Sequence, residues 1–253
     1  MAEPTDAPVA ELEPAVEAEA RPHPEARVEA EAGLPVFVFD AYGTLFDVHA
    51  AVAAHADRIG PKAEALSALW RTKQLEYSWT RSLMKRYRPF WSLTEEALGH
   101  ALAAFPDVDP AIRPDLLSAY ETLSAYPEVP GVLARLKAKG ARTAILSNGS
   151  AQMLSSAVTS AGLGAHLDAV LSVDVLQTYK TDPATYRLVL DQFGVEPGAV
   201  RFHSSNRWDI AGAHAFGFRT LWINRAGAAD EYAELAPDRT VSSLDEAMED
   251  LSA

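Results

Sequence analysis

Short apolar runs alternate with amphipathic segments through most of the chain. Each run is rich in valine, isoleucine, leucine or phenylalanine and is short enough for a strand buried on both faces. The five runs are PVFVFD (35–40), ARTAILS (141–147), DAVLSV (168–173), VRFHS (200–204) and FRTLWIN (218–224). Segments with helical periodicity separate the last four, and a glycine closes each segment. This alternation predicts an α/β fold with a doubly wound parallel sheet.

The first two predicted strands lie unusually far apart in the chain. The gap between them holds two helix-patterned stretches, AEALSALWRTKQLEYSWTRSLM and TEEALGHALAAF. Three prolines are expected in first turns of helices, namely Pro61, Pro110 and Pro130. A simple crossover between parallel strands needs far fewer residues. We therefore predict a helical cap domain at residues 49–127, inserted into an α/β core made of residues 34–48 and 128–253.

Residues 1–33 differ in composition from the rest of the chain. They carry nine acidic residues against two arginines, five prolines and no aromatic residue. Such a segment buries too little apolar surface to offset the entropy of ordering it. The composition predicts a disordered acidic tail, and an acidic docking arm is the functional alternative.

The overall composition excludes several classes of protein. A formal net charge of −13 argues against nucleic acid as a partner, because phosphate binding needs a basic surface. The absence of cysteine excludes disulfides, thiolate metal sites and a cysteine nucleophile. No run of about 18 apolar residues occurs in the sequence, so no membrane span is expected. The N-terminal residues also lack the order of basic and then apolar residues that is typical of a secretory signal. A cytoplasmic protein acting on a small molecule, with no membrane partner, is the expectation.

One carboxylate stands out against the apolar pattern. Asp40 ends the first apolar run, where burying a charge is costly unless a neighbour requires it. Ligands of open α/β sheets bind at the carboxyl ends of the strands. The sequence therefore places Asp40 in a ligand site beneath the inserted cap.

The segments around Asp40 and the later strands resemble the motifs of a known superfamily. FDAYGTLFD, SNGS at 147–150, Lys180 and SSNRWD at 204–209 resemble the four motifs of the haloacid dehalogenase superfamily, in the same order and spacing. More narrowly, WRTKQLEYSWTRSLM and HSSNRWDIAGAHAFGFRTLWINR resemble L-2-haloacid dehalogenases. The resemblance covers the chain beyond the predicted tail.

The resemblance implies a hydrolytic reaction on short L-2-haloalkanoic acids. Asp40 would attack C2 and expel the halide with inversion, and water would then release a D-2-hydroxy acid from the aspartyl ester. It implies the catalytic set Asp40, Thr44, Arg71, Ser147, Lys180, Tyr186, Ser204, Asn206 and Asp209. It implies a substrate pocket lined by Ala41, Tyr42, Arg71, Leu75, Phe90, Ser147, Asn148 and Trp208, with Trp91 as a further wall.

Two departures from the phosphatases of the superfamily narrow the chemistry. In those phosphatases a second aspartate, two residues after the nucleophile, serves as general acid and base. Here that place is taken by Tyr42, a phenol whose usual pKa near 10 suits acid–base catalysis poorly at neutral pH. Where magnesium-binding members have acidic pairs, this chain has Ser204, Ser205 and Asn206, with Asp209 as the one acid. No metal and no cofactor are therefore expected. A divergent hydrolase or phosphatase acting on another small acid, and a binding module without turnover, stay open as alternatives.

Each assigned residue also has an ordinary structural interpretation. Lys180 and Arg71 could be solvated surface residues, although the family spacing favours roles in keeping Asp40 ionised and in meeting the halide. Ser147 and Asn148 could cap the following helix. Asp209 could be a first-turn acid of a helix.

Two residues depart from the pattern of the dehalogenases themselves. His203 stands where a small apolar residue is usual, and it could titrate near neutrality or be an ordinary core histidine. Thr181 stands where proline is common. The family resemblance also implies a homodimer.

Overall fold

The computed structural model describes residues 35–247. The predicted tail at residues 1–33 lies outside them. The strands are β1 (Val36–Phe39), β2 (Arg142–Ser147), β3 (Ala169–Ser172), β4 (Val200–Ser204), β5 (Arg219–Ile223) and β6 (Arg239–Val241). The helices are α1 (Ala50–Ala53), α2 (Ala56–Ile59), α3 (Ala63–Met84), α4 (Phe90–Ala104), α5 (Arg113–Glu121), α6 (Val129–Ala138), α7 (Ala151–Ser160), α8 (Pro183–Phe193) and α9 (Arg207–Phe216). Short 3₁₀ helices lie at Gly60–Lys62, Pro110–Ile112, Gly164–His166, Val173–Leu176, Pro197–Ala199 and Ala233–Leu235.

The six strands form one parallel sheet in the order β3-β2-β1-β4-β5-β6. β1 lies between β2 and β4, with Val38 level with Ala144 on one side and Phe202 on the other. All four residues of β1 are buried, as expected for a strand covered by helices on both faces. The predicted doubly wound α/β fold is confirmed, and all five predicted strands are present.

The segment between β1 and β2 is helical, as predicted. Helix α3 packs on α4, and the Trp70 indole donates to the Thr94 carbonyl at 2.9 Å. The buried positions of α3 recur every three or four residues and face α4 and the core; they are Leu66, Ser67, Trp70, Gln74 and Ser78. No helix among residues 35–247 is long and apolar enough to cross a membrane.

The chain leaves the sheet and returns to it at one place. Phe46 and Ala125 form an antiparallel bridge, and Asp47 N donates to the Ser124 carbonyl at 3.1 Å. Tyr126 N donates to the Leu45 carbonyl at 2.9 Å. The segment that leaves the sheet after β1 and the segment that returns towards β2 therefore run side by side beneath the inserted helices. The division at residues 49 and 127 stays a prediction.

The helices begin and end near prolines and glycines that the sequence analysis identified as helix boundaries. Pro130 lies in the first turn of α6, and Pro61 and Pro110 lie in the 3₁₀ turns that precede α3 and α5. Gly217 ends α9 with a φ of 103°, in the left-handed region that a side chain would disfavour.

Candidate active site

The Asp40 carboxylate lies directly after β1 and is almost fully buried. Its Oδ2 accepts hydrogen bonds from Asn206 Nδ2 at 2.6 Å, Thr44 Oγ1 at 3.2 Å and Ser204 Oγ at 3.5 Å. Its Oδ1 accepts from Lys180 Nζ at 3.1 Å. A buried carboxylate is tolerated when donors and an opposite charge surround it. These donors come from three segments that are far apart in the sequence.

Lys180 is fully buried between two carboxylates. Its ammonium lies 3.1 Å from Asp40 and 2.7 Å from Asp209 Oδ2, and Tyr186 donates to Asp209 Oδ1 at 2.8 Å. Burial alone would lower the pKa of Lys180, but Asp209 and Asp40 outweigh it and raise that pKa above its ordinary value. Burial raises the pKa of Asp209 to about 6, and Lys180 partly opposes the rise. Lys180 is therefore not a solvated surface lysine.

Arg71 extends from α3 towards the loop after β1. Its Nη2 donates to the Tyr42 carbonyl at 3.2 Å and to Asn206 Oδ1 at 3.5 Å. Asn206 therefore contacts both the Arg71 guanidinium and the Asp40 carboxylate. The side chain is partly buried, so it is not an exposed helix arginine, and it brings a positive charge from the inserted helices to the sheet edge.

The residues after β2 face the same edge. Ser147 Oγ accepts from Gly149 N at 3.1 Å, and Asn148 Oδ1 accepts from Lys180 N at 2.9 Å. The N-cap of α7 is Ser150, whose Oγ accepts from Met153 N, so neither Ser147 nor Asn148 has the capping role. Both side chains are buried at the site.

Residues from five segments of the chain line one small cavity next to Asp40. Its volume is about 10 Å³, roughly the space of one water molecule. The residues that line it are Asp40, Tyr42, Arg71, Leu75, Phe90, Ser147, Asn148 and Trp208.

Two predicted wall residues do not line this cavity. Ala41 is buried beside the cavity without lining it, and its carbonyl accepts from Leu45 N at 2.8 Å in the turn after β1. Trp91 lines a different cavity, with Gln152 and Asp174 among its other walls. The assignment of Trp91 as a wall of the Asp40 cavity is therefore wrong.

The wall formed by Tyr42 is fixed from behind. Its ring stacks on Tyr120 with centroids 5.7 Å apart and planes at 9°. Gly149 permits this placement, because a Cβ there would lie 2.7 Å from Tyr42 Cε2. Burial raises the pKa of Tyr42 well above the ordinary phenol range. Tyr42 is therefore protonated near neutrality and unsuited to act as a base.

The fourth motif helps to hold Asp40 in place. Ser204 Oγ accepts from Asn206 N at 3.0 Å, and Ser205 N donates to Thr44 Oγ1 at 2.8 Å, so the motif fixes the same donors that hold Asp40. Asp209, its one acid, pairs with Lys180. No group of three or more histidine, aspartate or glutamate residues with metal-binding geometry occurs in the described part of the chain.

His203 is a core residue below the site. Its ring stacks on Phe39 with centroids 4.7 Å apart, and its Nδ1 lies 3.3 Å from the Val38 carbonyl oxygen. Burial lowers the pKa of His203 to about 4. The possibility that it titrates near neutrality is wrong. Thr181 lies against Gly212, where an added Cβ would come within 2.7 Å of Thr181 Cγ2.

Two residues at the site were missed from the sequence. Tyr120 reaches Tyr42 from α5, and Arg225 donates from Nη2 to the Thr44 carbonyl at 3.1 Å while pairing with Glu128. Tyr120 has the spacing of an ordinary core residue, and Arg225 follows β5 without any local signal.

Known proteins are similar to this chain in sequence and in fold. The family model described as haloacid dehalogenase-like hydrolase matches residues 34–217. The (S)-2-haloacid dehalogenase 4A of Burkholderia cepacia is 52% identical over 211 residues, which cover 83% of this chain and 91% of that protein. The (S)-2-haloacid dehalogenase 1 of Pseudomonas sp. (strain CBS-3) is 53% identical over 211 residues, which cover 83% of this chain and 92% of that protein.

The chain belongs to the haloacid dehalogenase-like hydrolase family.

A solved structure gives the same answer for the fold of this hydrolase. The L-2-haloacid dehalogenase from Xanthobacter autotrophicus, with chloropropionic acid covalently bound, has a TM-score of 0.77 and 36% identity, with 87% of this chain and 99% of that chain covered. A crystal structure of a dehalogenase has a TM-score of 0.85 and 47% identity, covering 90% of this chain and all of that one. The four motifs of this haloacid dehalogenase-like hydrolase therefore meet at the carboxyl edge of a fold shared with both.

Proposed function

We propose that this hydrolase removes the halogen from short L-2-haloalkanoic acids and forms D-2-hydroxy acids with inversion, through an aspartyl ester on Asp40. The observation that carries the proposal is a buried carboxylate that faces a small cavity together with one guanidinium, from Arg71. The similar proteins named (S)-2-haloacid dehalogenases support it. So does the covalent chloropropionic acid adduct of the Xanthobacter enzyme.

The first step is displacement at C2. An Asp40 oxygen forms a bond to C2 as the carbon–halogen bond breaks, and the halide leaves with the bonding electrons. Attack from the side opposite the halide inverts the centre. Negative charge grows on the halide, and Arg71 and Asn148 supply donors for it in the small cavity next to Asp40. Ser147 binds the substrate carboxylate.

The second step is hydrolysis of the ester. Water adds to the Asp40 carbonyl carbon, and the bond between that carbon and the alkoxide oxygen then breaks. The alkoxide takes one proton of the water, and the hydroxy acid leaves with the former Asp40 oxygen. The other proton is released to solvent, and the carboxylate is restored with one oxygen from water. Ser204, Asn206 and Thr44 hold the carbonyl through the contacts that they make to Asp40. Lys180 and Asp209 form the charged pair that assists the addition of water.

The reaction proceeds without a metal ion. Lys180 Nζ lies 3.1 Å from Asp40 and 2.7 Å from Asp209, so the ammonium stands between the two carboxylates that a divalent cation would need. Tyr42 offers no second carboxylate for acid–base catalysis of phosphate-ester hydrolysis. The geometry thus favours displacement at carbon over phosphoryl transfer.

The chain is further proposed to act as a cytoplasmic homodimer. The resemblance to L-2-haloacid dehalogenases supports the dimer. The mass in solution, measured by light scattering, tests the dimer, and fractionation of cells that make the protein tests the location.

The test of the activity is halide release from each enantiomer of 2-chloropropionate in chelator-treated buffer. We expect chloride from the L enantiomer only, D-lactate as the product, and no release by Asp40→Asn, whose side chain has nearly the same volume. Turnover by Asp40→Asn, or dependence on added magnesium, would contradict the proposal.

A further inference from the structure

A large groove lies outside the Asp40 cavity, between α3 and α9. Its volume is about 870 Å³, compared with about 10 Å³ for the cavity. Most of its surface is apolar, and its walls include Trp79 and Leu83 from α3 and Ala211, Ala215 and Phe216 around α9. The groove is the larger of the two spaces and the more open to solvent. An apolar space of this size beside a catalytic cavity suits an alkyl chain.

Trp208 lines both the cavity and the groove. The other aromatic walls of the cavity have protein behind them. Tyr42 stacks on Tyr120 with centroids 5.7 Å apart, and the Phe90 ring meets Tyr179 at 5.9 Å. Among these aromatic walls, Trp208 is therefore the one whose displacement would open the cavity into free space.

Packing alone holds the Trp208 ring in place, because its indole makes no hydrogen bond within residues 35–247. Its indole Nε1 is buried without an acceptor in this part of the chain. Its ring meets the ring of Trp79 edge to face, with centroids 5.4 Å apart and planes at 81°. Trp79 is 37% exposed and does not line the Asp40 cavity. Trp79 thus supports Trp208 from the groove side, and loss of Trp79 would let the Trp208 ring move outward at no cost in hydrogen bonds.

We propose that Trp79 and Trp208 form a partition that limits the length of the 2-alkyl chain, and that the groove behind it accepts the alkyl chain of longer 2-haloalkanoic acids once the partition yields. This inference rests on the proposed dehalogenation and adds a determinant of substrate choice to it. The polar walls of the cavity, Arg71, Ser147 and Asn148, are assigned to the halide and the carboxylate. The alkyl chain is left with the apolar walls, of which Trp208 borders the free space.

The experiment compares halide release from racemic 2-bromopropionate and racemic 2-bromooctanoate by the wild type, Trp79→Ala and Trp91→Ala. We expect Trp79→Ala to raise the ratio of kcat/KM for the long acid to that for the short acid at least tenfold, because each accommodated methylene contributes to discrimination. Trp91→Ala is the matched control: it removes an indole from the inserted helices at another cavity, and its ratio should stay at the wild-type value. Trp79→Phe, which keeps an aromatic edge, should fall between.

The outcomes separate this inference from the proposed function. Absence of bromide release from 2-bromopropionate by the wild type would overturn the function itself. Release from the short acid with an unchanged ratio in Trp79→Ala, or an equal rise in Trp91→Ala, would overturn the partition. Binding of propionate and octanoate, measured by calorimetry, tests the partition without turnover: Trp79→Ala should bind octanoate at least tenfold more tightly and propionate as the wild type does. Equal octanoate affinity in the two proteins would overturn the partition.

Discussion

His203 makes the stability of this hydrolase depend on pH in a way that can be calculated. Burial lowers its pKa from the ordinary 6.5 to about 4, so the folded state holds the ring neutral where the unfolded state would protonate it. A group that binds its proton more weakly when folded stabilises the fold above its unfolded pKa, and this stabilisation is lost as the pH falls towards the folded pKa. The window is therefore about pH 6.5 down to pH 4.

The magnitude follows from the width of that window. Each pKa unit corresponds to about 1.4 kcal/mol. A solution at pH 5 is about 1.5 units below the unfolded pKa of His203. Between pH 7 and pH 5, His203 therefore lowers the free energy of unfolding by about 2 kcal/mol. Asp209 opposes this trend, because burial raises its pKa to about 6 and the folded state binds that proton more tightly. The wild type alone would therefore not reveal the contribution of His203.

The variant His203→Gln isolates the contribution. Glutamine is similar in size, stays neutral and can still donate a hydrogen bond to the Val38 carbonyl. Urea unfolding is followed by the fluorescence of the five tryptophans, for both proteins at one concentration, at pH 7 and pH 5. We expect the free energy of unfolding of the wild type, relative to His203→Gln, to fall by about 2 kcal/mol between the two pH values. A relative free energy that is the same at both values would refute the reasoning.

Three further predictions concern the charged groups of the site. Arg71→Lys should lower kcat for L-2-chloropropionate by about 100-fold, because an ammonium does not reproduce the donor geometry of a guanidinium; steady-state kinetics near the wild-type values would contradict this. Lys180→Met leaves two buried carboxylates without their cation and should lower the free energy of unfolding by about 3 kcal/mol or more. Part of this loss should be regained in the double variant Lys180→Met/Asp209→Asn. Urea unfolding that shows no loss in Lys180→Met would contradict the buried pairing. Activity should fall as the pH drops through about 6, where Asp209 takes up a proton and its attraction for Lys180 weakens. In pH–rate profiles from 5 to 8, Asp209→Asn should lack that inflection, and an unchanged inflection in the variant would assign it to another group.

The fold could be predicted from the sequence because its main signals are local. Strands buried on both faces read as short apolar runs, and glycine ends the helices between them. β6 was missed because RTV at 239–241 is too short to stand out as an apolar run. The inserted helices were visible as a pattern, but the places where the chain leaves and rejoins the sheet depend on pairings such as Phe46 with Ala125, across about 80 residues.

The site could be predicted as a set of motifs, and less well as a surface. The predicted set converged on Asp40 because each motif ends at the same edge of the sheet. Phe90 and Trp91 are neighbours in the sequence, yet they point to different cavities, since successive residues of a helix face different directions. Tyr120 and Arg225 approach from elements without any motif, so only the packed structure brings them to the site.

The central claim is that Asp40 carries the substrate as an ester, and one isotope measurement tests it directly. Excess enzyme is allowed a single turnover of L-2-chloropropionate in H₂¹⁸O, and the product and the peptide that contains Asp40 are analysed by mass spectrometry. We expect unlabelled D-lactate and one ¹⁸O in the Asp40 carboxylate, because water attacks the ester carbonyl. Labelled D-lactate with unlabelled Asp40 would mean that water attacks the substrate itself, and it would contradict the account.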